Sequence, residues 1–105
     1  MPDILQSRPA DTIALLLQGE VQMSLKEPSM ALKSINKAIA GLQWARKSAH
    51  DRQAALLAIG IWEERQLAPL LSLAYSHQGV ALERTDDHAA AVVAFDVSER
   101  LKRAT

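Results

Sequence analysis

The sequence predicts an all-α protein, and three observations carry that prediction. Alanine and leucine dominate, with apolar residues recurring at three- and four-residue steps, the period of an amphipathic helix. Glycine occurs only at Gly19, Gly41, Gly60 and Gly79, and proline only at Pro2, Pro9, Pro28 and Pro69, so breakers punctuate the chain and do not fill it. No run of β-branched residues is long enough to read as a buried strand. With 105 residues and an apolar share of 49%, the chain is read as one domain over 1–105 with a modest core.

The elements follow in order, about five helices in all. The first covers about 11 to 25, with Asp11 as its cap and Ile13, Leu16, Leu17 and Val21 as apolar anchors. The second starts near Pro28, a residue suited to a first helical turn, and runs to about Lys47. It carries Ala31, Leu32, Ile35, Ala38, Ile39, Leu42 and Ala45 on one side and Trp44 at the edge of that side. Together these make a first hairpin, 11–47. Next, `SAHD` offers a capping box from Ser48 and Asp51. It opens an intermediate helix over 49–67 anchored by Ala54, Leu57, Ala58, Ile61 and Trp62. A fourth helix begins at Pro69 and reaches about Arg84, and a fifth follows Thr85, with Asp86 and Asp87 in the turn. These form a final hairpin, 70–103. Whether Pro69 separates two helices or kinks one is left open by sequence alone.

The stretch `LAYSHQGVALERTDDHAAAVVAF` shows what the small residues are for. Tyr75, Gly79 and Leu82 share a face with Ala91, Phe95 and Ser98, and the small Gly79 and Ala91 allow two helices to approach closely. Leu15, Gly19, Ala31, Ile35 and Ala38 repeat the pattern, with the glycine and the alanine twelve residues apart both times.

On these residues the chain resembles the tetratricopeptide repeat family. `LAYSHQGVALERTDDHAAAVVAFDVSERL` is similar to a full helix-turn-helix repeat, and `LLLQGEVQMSLKEPSMALKSINKAIAGL` to a second. `RQAALLAIGIWEERQL` resembles a repeat's first helix around Gly60. Departures stand at Leu15 in place of a large aromatic, Gln78 in place of leucine, Asp86 in place of a turn glycine and Ser98 in place of alanine. The glycines Gly19 and Gly79 are sixty residues apart, not a multiple of the family period. The resemblance implies hairpins stacked as a short right-handed array, with first helices lining a groove that holds a peptide or helix of a partner protein. Projected on this chain, the groove residues are Leu16, Glu20 and Met23, then Leu57, Ile61 and Glu64, then Ser76, Val80 and Glu83. Leu16, Leu57, Ile61 and Val80 fit a core role equally well.

Composition limits the alternatives. Twelve basic residues balance twelve acidic ones, which does not make a phosphate-binding surface and leaves self-association open. Lys33, Lys37, Arg46, Lys47 and Arg52 are diluted by acidic and amide neighbours, so nucleic acid is not expected. With no cysteine there are no disulfides and no thiolate metal sites. His50, His77 and His88 show no HExxH spacing, `DDH` at 86–88 reads as helix capping, and no nucleophile elbow or phosphate loop occurs. The expectation is therefore a non-enzymatic protein-binding adaptor or small chaperone without cofactor or metal. The alternative is a structural or oligomerisation domain, with Met23, Met30, Trp44 and Trp62 as anchors between copies. `MPDILQSRPAD` does not read as a signal peptide and no apolar run suits a membrane span, so a cytoplasmic location is expected.

Overall fold

The computed structural model describes residues 11–48 and 51–103, which are all-α: five helices and no strand among the described residues. They are α1 (Thr12–Ser24), α2 (Pro28–Lys47), α3 (Arg52–Ala58), α4 (Leu67–Arg84) and α5 (His88–Arg103), with a 3-10 turn at Glu64–Gln66 before α4. The fold is a slab of 38 × 38 × 16 Å. At about 10 Å across each helix, that is under two layers, so every helix keeps a face near solvent.

Helix α1 is capped by Asp11, whose carboxylate accepts from the Ala14 N–H at 3.0 Å. Pro28 opens α2 at its first position, where no intrahelical N–H bond is lost. Six of the seven apolar positions expected of α2 are buried and Leu32 is half-buried. The α1 face differs from expectation. Leu16 is buried, but Ile13, Leu17 and Val21 are exposed, because α2 meets α1 along Leu16 and Gly19.

The intermediate helix is shorter than the sequence suggests. It spans seven residues and stops at Gly60, whose φ of 78° is the left-handed geometry of a helix C-terminus. The Gly60 N–H donates to the Leu57 carbonyl at 3.1 Å and the Ile61 N–H to the Leu56 carbonyl at 2.8 Å. This closure turns Ile61 inward onto Leu56. The buried set is thus Ala55, Leu56, Ile59 and Ile61, while Ala54, Leu57, Ala58 and Trp62 are exposed. Gly60 ends a helix here and does not seat one helix against another. The cap is Asp51, accepting from the Ala54 N–H at 3.2 Å, and Ser48 instead donates to the Trp44 carbonyl at 2.8 Å. Residues 59–66 separate α3 from α4, so Pro69 kinks nothing: it lies in the first turn of α4.

The two hairpins repeat at a shift of sixty residues. In one, Lys26 N–H donates to Met23 O and Glu27 N–H to Gln22 O; in the other, Asp86 N–H donates to Glu83 O and Asp87 N–H to Leu82 O. Lys26 and Asp86 both take the left-handed conformation, with φ of 60° and 65°. In each hairpin a glycine of the first helix faces a large side chain of the second. A Cβ on Gly19 would lie 2.9 Å from Ile35 Cγ1, and one on Gly79 only 2.7 Å from Phe95 Cε1. Helix α4 then packs antiparallel to α2, tied by Gln78 to Asn36 at 2.8 Å and by Gln43 to Tyr75 at 3.1 Å. Buried Ser72 and Ser98 exchange hydroxyl-to-carbonyl bonds of 2.9 and 2.7 Å between α4 and α5.

Candidate functional site

Because α1 and α4 both run antiparallel to α2, they lie side by side in the same direction. Their C-terminal halves are separated by a cleft of about 390 Å³ lined by Gly19, Glu20, Met23, Ser24, Ile35, His77, Val80 and Arg84. A volume of this size falls within the range of ligand-binding pockets. Its floor is Gly19, which packs directly on the fully buried Ile35 of α2. Met23 and Val80 form aliphatic walls, spaced at the three- and four-residue steps that place Glu20, Met23 and Ser24 on one face of α1 and His77, Val80 and Arg84 on one face of α4.

The rim carries both signs of charge. Glu20 Oε1 lies 3.6 Å from His77 Nε2, joining α1 to α4 across the opening. Arg84 borders the cleft and makes no ion pair among the described residues. An aliphatic trough between a carboxylate and a guanidinium suits a segment with one apolar anchor flanked by a basic and an acidic group.

Of the projected groove residues, the structure brings Glu20, Met23 and Val80 together at this cleft. Ser76 precedes Val80 by one helical turn and lines a neighbouring depression of about 380 Å³ with Pro69, Ser72, Leu73 and Lys102. Leu16 and Ile61 are core residues instead: Leu16 faces the interior of the hairpin, and the turn at Gly60 folds Ile61 inward. Leu57 is exposed on α3, Glu64 is exposed and paired with Arg52, and Glu83 is paired with His88 at 3.0 Å. The projected set omits Gly19, Ser24, Ile35, His77 and Arg84. Arg84 is legible as the residue one turn beyond Val80; Ile35 is not, since only the packing shows that it lies against Gly19 beneath the cleft.

Trp44 and Trp62 are 52% and 77% exposed, and Met30 is exposed as well, whereas Met23 belongs to the cleft wall. His77 and His88 each meet one glutamate, and among the described residues no group of three acidic or histidine side chains is arranged as a metal site. His50 lies outside the described residues. No helix among the described residues is long and apolar enough to cross a membrane. No family model, curated protein or solved structure matches the chain.

Proposed function

We propose that this protein is a non-enzymatic binding module whose α1/α4 cleft holds a short segment of a partner protein, in the manner of an adaptor or small chaperone. The observation that supports it is the convergence of Glu20, Met23, His77, Val80 and Arg84 around an aliphatic floor. A helical segment fits this reading best, because one apolar side chain enters between Met23 and Val80 while residues a turn away meet Glu20 and Arg84. The hairpins' shared turn geometry and close-packed glycines are consistent with the tetratricopeptide resemblance, which belongs to the same proposal. So does the cytoplasmic location expected from the sequence.

The test is selection of helical peptides from a displayed library on the full chain, followed by affinity measurement. Val80→Asp and Glu20→Lys should each weaken the selected peptides by roughly tenfold or more, the loss expected when an anchor contact is replaced. Glu64→Lys, remote from the cleft, should leave affinity unchanged. Equal affinity for the native chain and Val80→Asp would refute the cleft as the site.

A further inference from the structure

Helix α1 presents a second surface, distinct from the cleft. Ile13, Leu17, Val21 and Leu25 follow one another at four-residue steps and are 50%, 56%, 57% and 63% exposed. Ala14 and Gln18 lie on the same side and are exposed too. The only charge between Thr12 and Ser24 is Glu20, which is turned to the cleft.

The repeat of the hairpins explains what such a face is for. Sixty residues on, Ala14, Leu17, Gln18 and Val21 correspond to Ala74, His77, Gln78 and Ala81 of α4. There the face is covered in part: Ala74 and Ala81 are fully buried and Gln78 bonds Asn36 of the preceding hairpin, while Leu73 and Thr85, the counterparts of Ile13 and Leu25, are exposed and His77 lines the cleft. The α1 stripe thus overlaps the stacking face of the first hairpin at Val21, beside Ala14 and Gln18, with nothing described upon it.

The opposite end of the slab does not complement it. The α2 residues Asn36, Ile39, Leu42 and Gln43, which lie on the α4 side or in the core beside it, correspond in α5 to Asp96, Glu99, Lys102 and Arg103. All four are exposed and the face is laced by Asp96–Arg100 at 3.0 Å and Glu99–Lys102 at 3.9 Å. The C-terminal half of this face is finished with solvated charge, as terminal repeats are, while Val92, the counterpart of Leu32, stands exposed near its start. Head-to-tail stacking would bury those ions against an aliphatic stripe, at a heavy desolvation cost. Of the two end faces, only the stripe offers the stripe an uninterrupted apolar match.

We propose that two copies of this chain pair through α1, antiparallel about a twofold axis, so that Leu17 of one meets Val21 of the other and Ile13 meets Leu25. A self-complementary patch gives a closed dimer, because each copy has one such face and it is consumed on pairing. At roughly 100 Å² of exposed surface each, the four large side chains present about 400 Å² per copy, and Ala14 and Gln18 bring the pair to the ~1,000 Å² that a specific interface requires. The balanced charge of twelve basic and twelve acidic residues adds no net repulsion. Gly19 and Met23 of the cleft lie across α1 from Val21 and Leu25, while Glu20 and Ser24 stand beside Leu17, so the pairing borders the cleft's α1 rim and leaves its floor open.

Sedimentation equilibrium of the full chain tests the pairing. The expected result is a dimer of the 11.5 kDa chain. Leu17→Glu with Val21→Glu should raise the dimer dissociation constant by at least ~100-fold, as loss of two central anchors does, with the helical circular dichroism retained. Val92→Glu on α5 should leave the dimer intact. As a second readout, the cysteine-free chain given Leu17→Cys and Val21→Cys should form an intermolecular disulfide on oxidation. A monomer at all concentrations, growth past the dimer, or a dimer that survives the double glutamate change would each overturn the proposal. Peptide binding by the monomeric double variant separates this result from the fate of the cleft.

Discussion

Replacing Gly79 with alanine tests how the hairpins are closed. A Cβ at Gly79 would lie 2.7, 2.8 and 2.9 Å from Cε1, Cζ and Cδ1 of Phe95, about 1 Å inside normal carbon contact for three atoms of one rigid ring. Overpacking of this kind costs about 2 kcal/mol, while alanine in a helix interior gains about 1 kcal/mol over glycine. The net expectation is a loss of about 1 kcal/mol, or about 4–8 °C in Tm. Phe95→Ala removes the obstructing ring. In that background Gly79→Ala keeps only the propensity gain and should stabilise by about 1 kcal/mol, giving a coupling of about 2 kcal/mol in the double-mutant cycle. Urea unfolding of the four proteins, followed by circular dichroism at 222 nm, measures it. If Gly79→Ala changes stability equally in both backgrounds, within about 0.5 kcal/mol, the glycine is not there to admit Phe95 and the packing argument fails.

Two further expectations concern the same hairpins. Lys26→Gly should stabilise by about 1 kcal/mol and Asp86→Gly by less, because both sit at positive φ and aspartate tolerates that region better than lysine; a reversed order of urea midpoints would contradict this account of the turns. Ser72→Ala and Ser98→Ala should each cost about 1 kcal/mol, and Ser72→Val more, since the exchange of buried hydroxyl bonds leaves no room for a larger side chain; thermal melts of the three variants decide it.

Legibility differed from element to element for physical reasons. In α2 the sequence was sufficient: Pro28 marks the start and the apolar residues form one stripe, so pattern and packing agree. In α1 apolar residues lie around most of the helix, and periodicity cannot say which of two apolar faces the neighbours cover. The structure covers Leu16 and leaves Ile13, Leu17 and Val21 outside, the reverse of what a simple amphipathic reading gives for three of the four. At Gly60 the glycine was read as part of a helix, although an isoleucine directly after it and a leucine four before it are the apolar pair of a helix-terminating turn. The positions that differ from the tetratricopeptide pattern each find a partner or a conformation of their own. Gln78 bonds Asn36, Ser98 bonds Ser72, and Asp86 takes the conformation that a glycine would adopt more cheaply.

The shift of sixty residues between hairpins, and with it the cleft, follows from the segment between them. Residues 51–66 are too short and too interrupted to form a long helix pair, yet they contribute Leu56, Ile59 and Ile61 to the core. They do so at one end of the slab only. The Thr12 N–H at the start of α1 donates to the Ile59 carbonyl at 3.1 Å, and the same segment runs directly into the start of α4 at Leu67. Both helices are thus seated at their N-termini on this wedge, and among the described residues nothing equivalent fills the space between their C-terminal halves. Glu20 and His77 span that space at 3.6 Å, longer than a direct hydrogen bond, while Met23 and Val80 face it without meeting a third helix. A clean repeat would bring successive first helices together along their length. Here the interruption at Gly60, which hides Ile61 and shortens α3, is also what leaves the opposite ends of α1 and α4 apart, so the element least legible in the sequence is the one that makes room for the site.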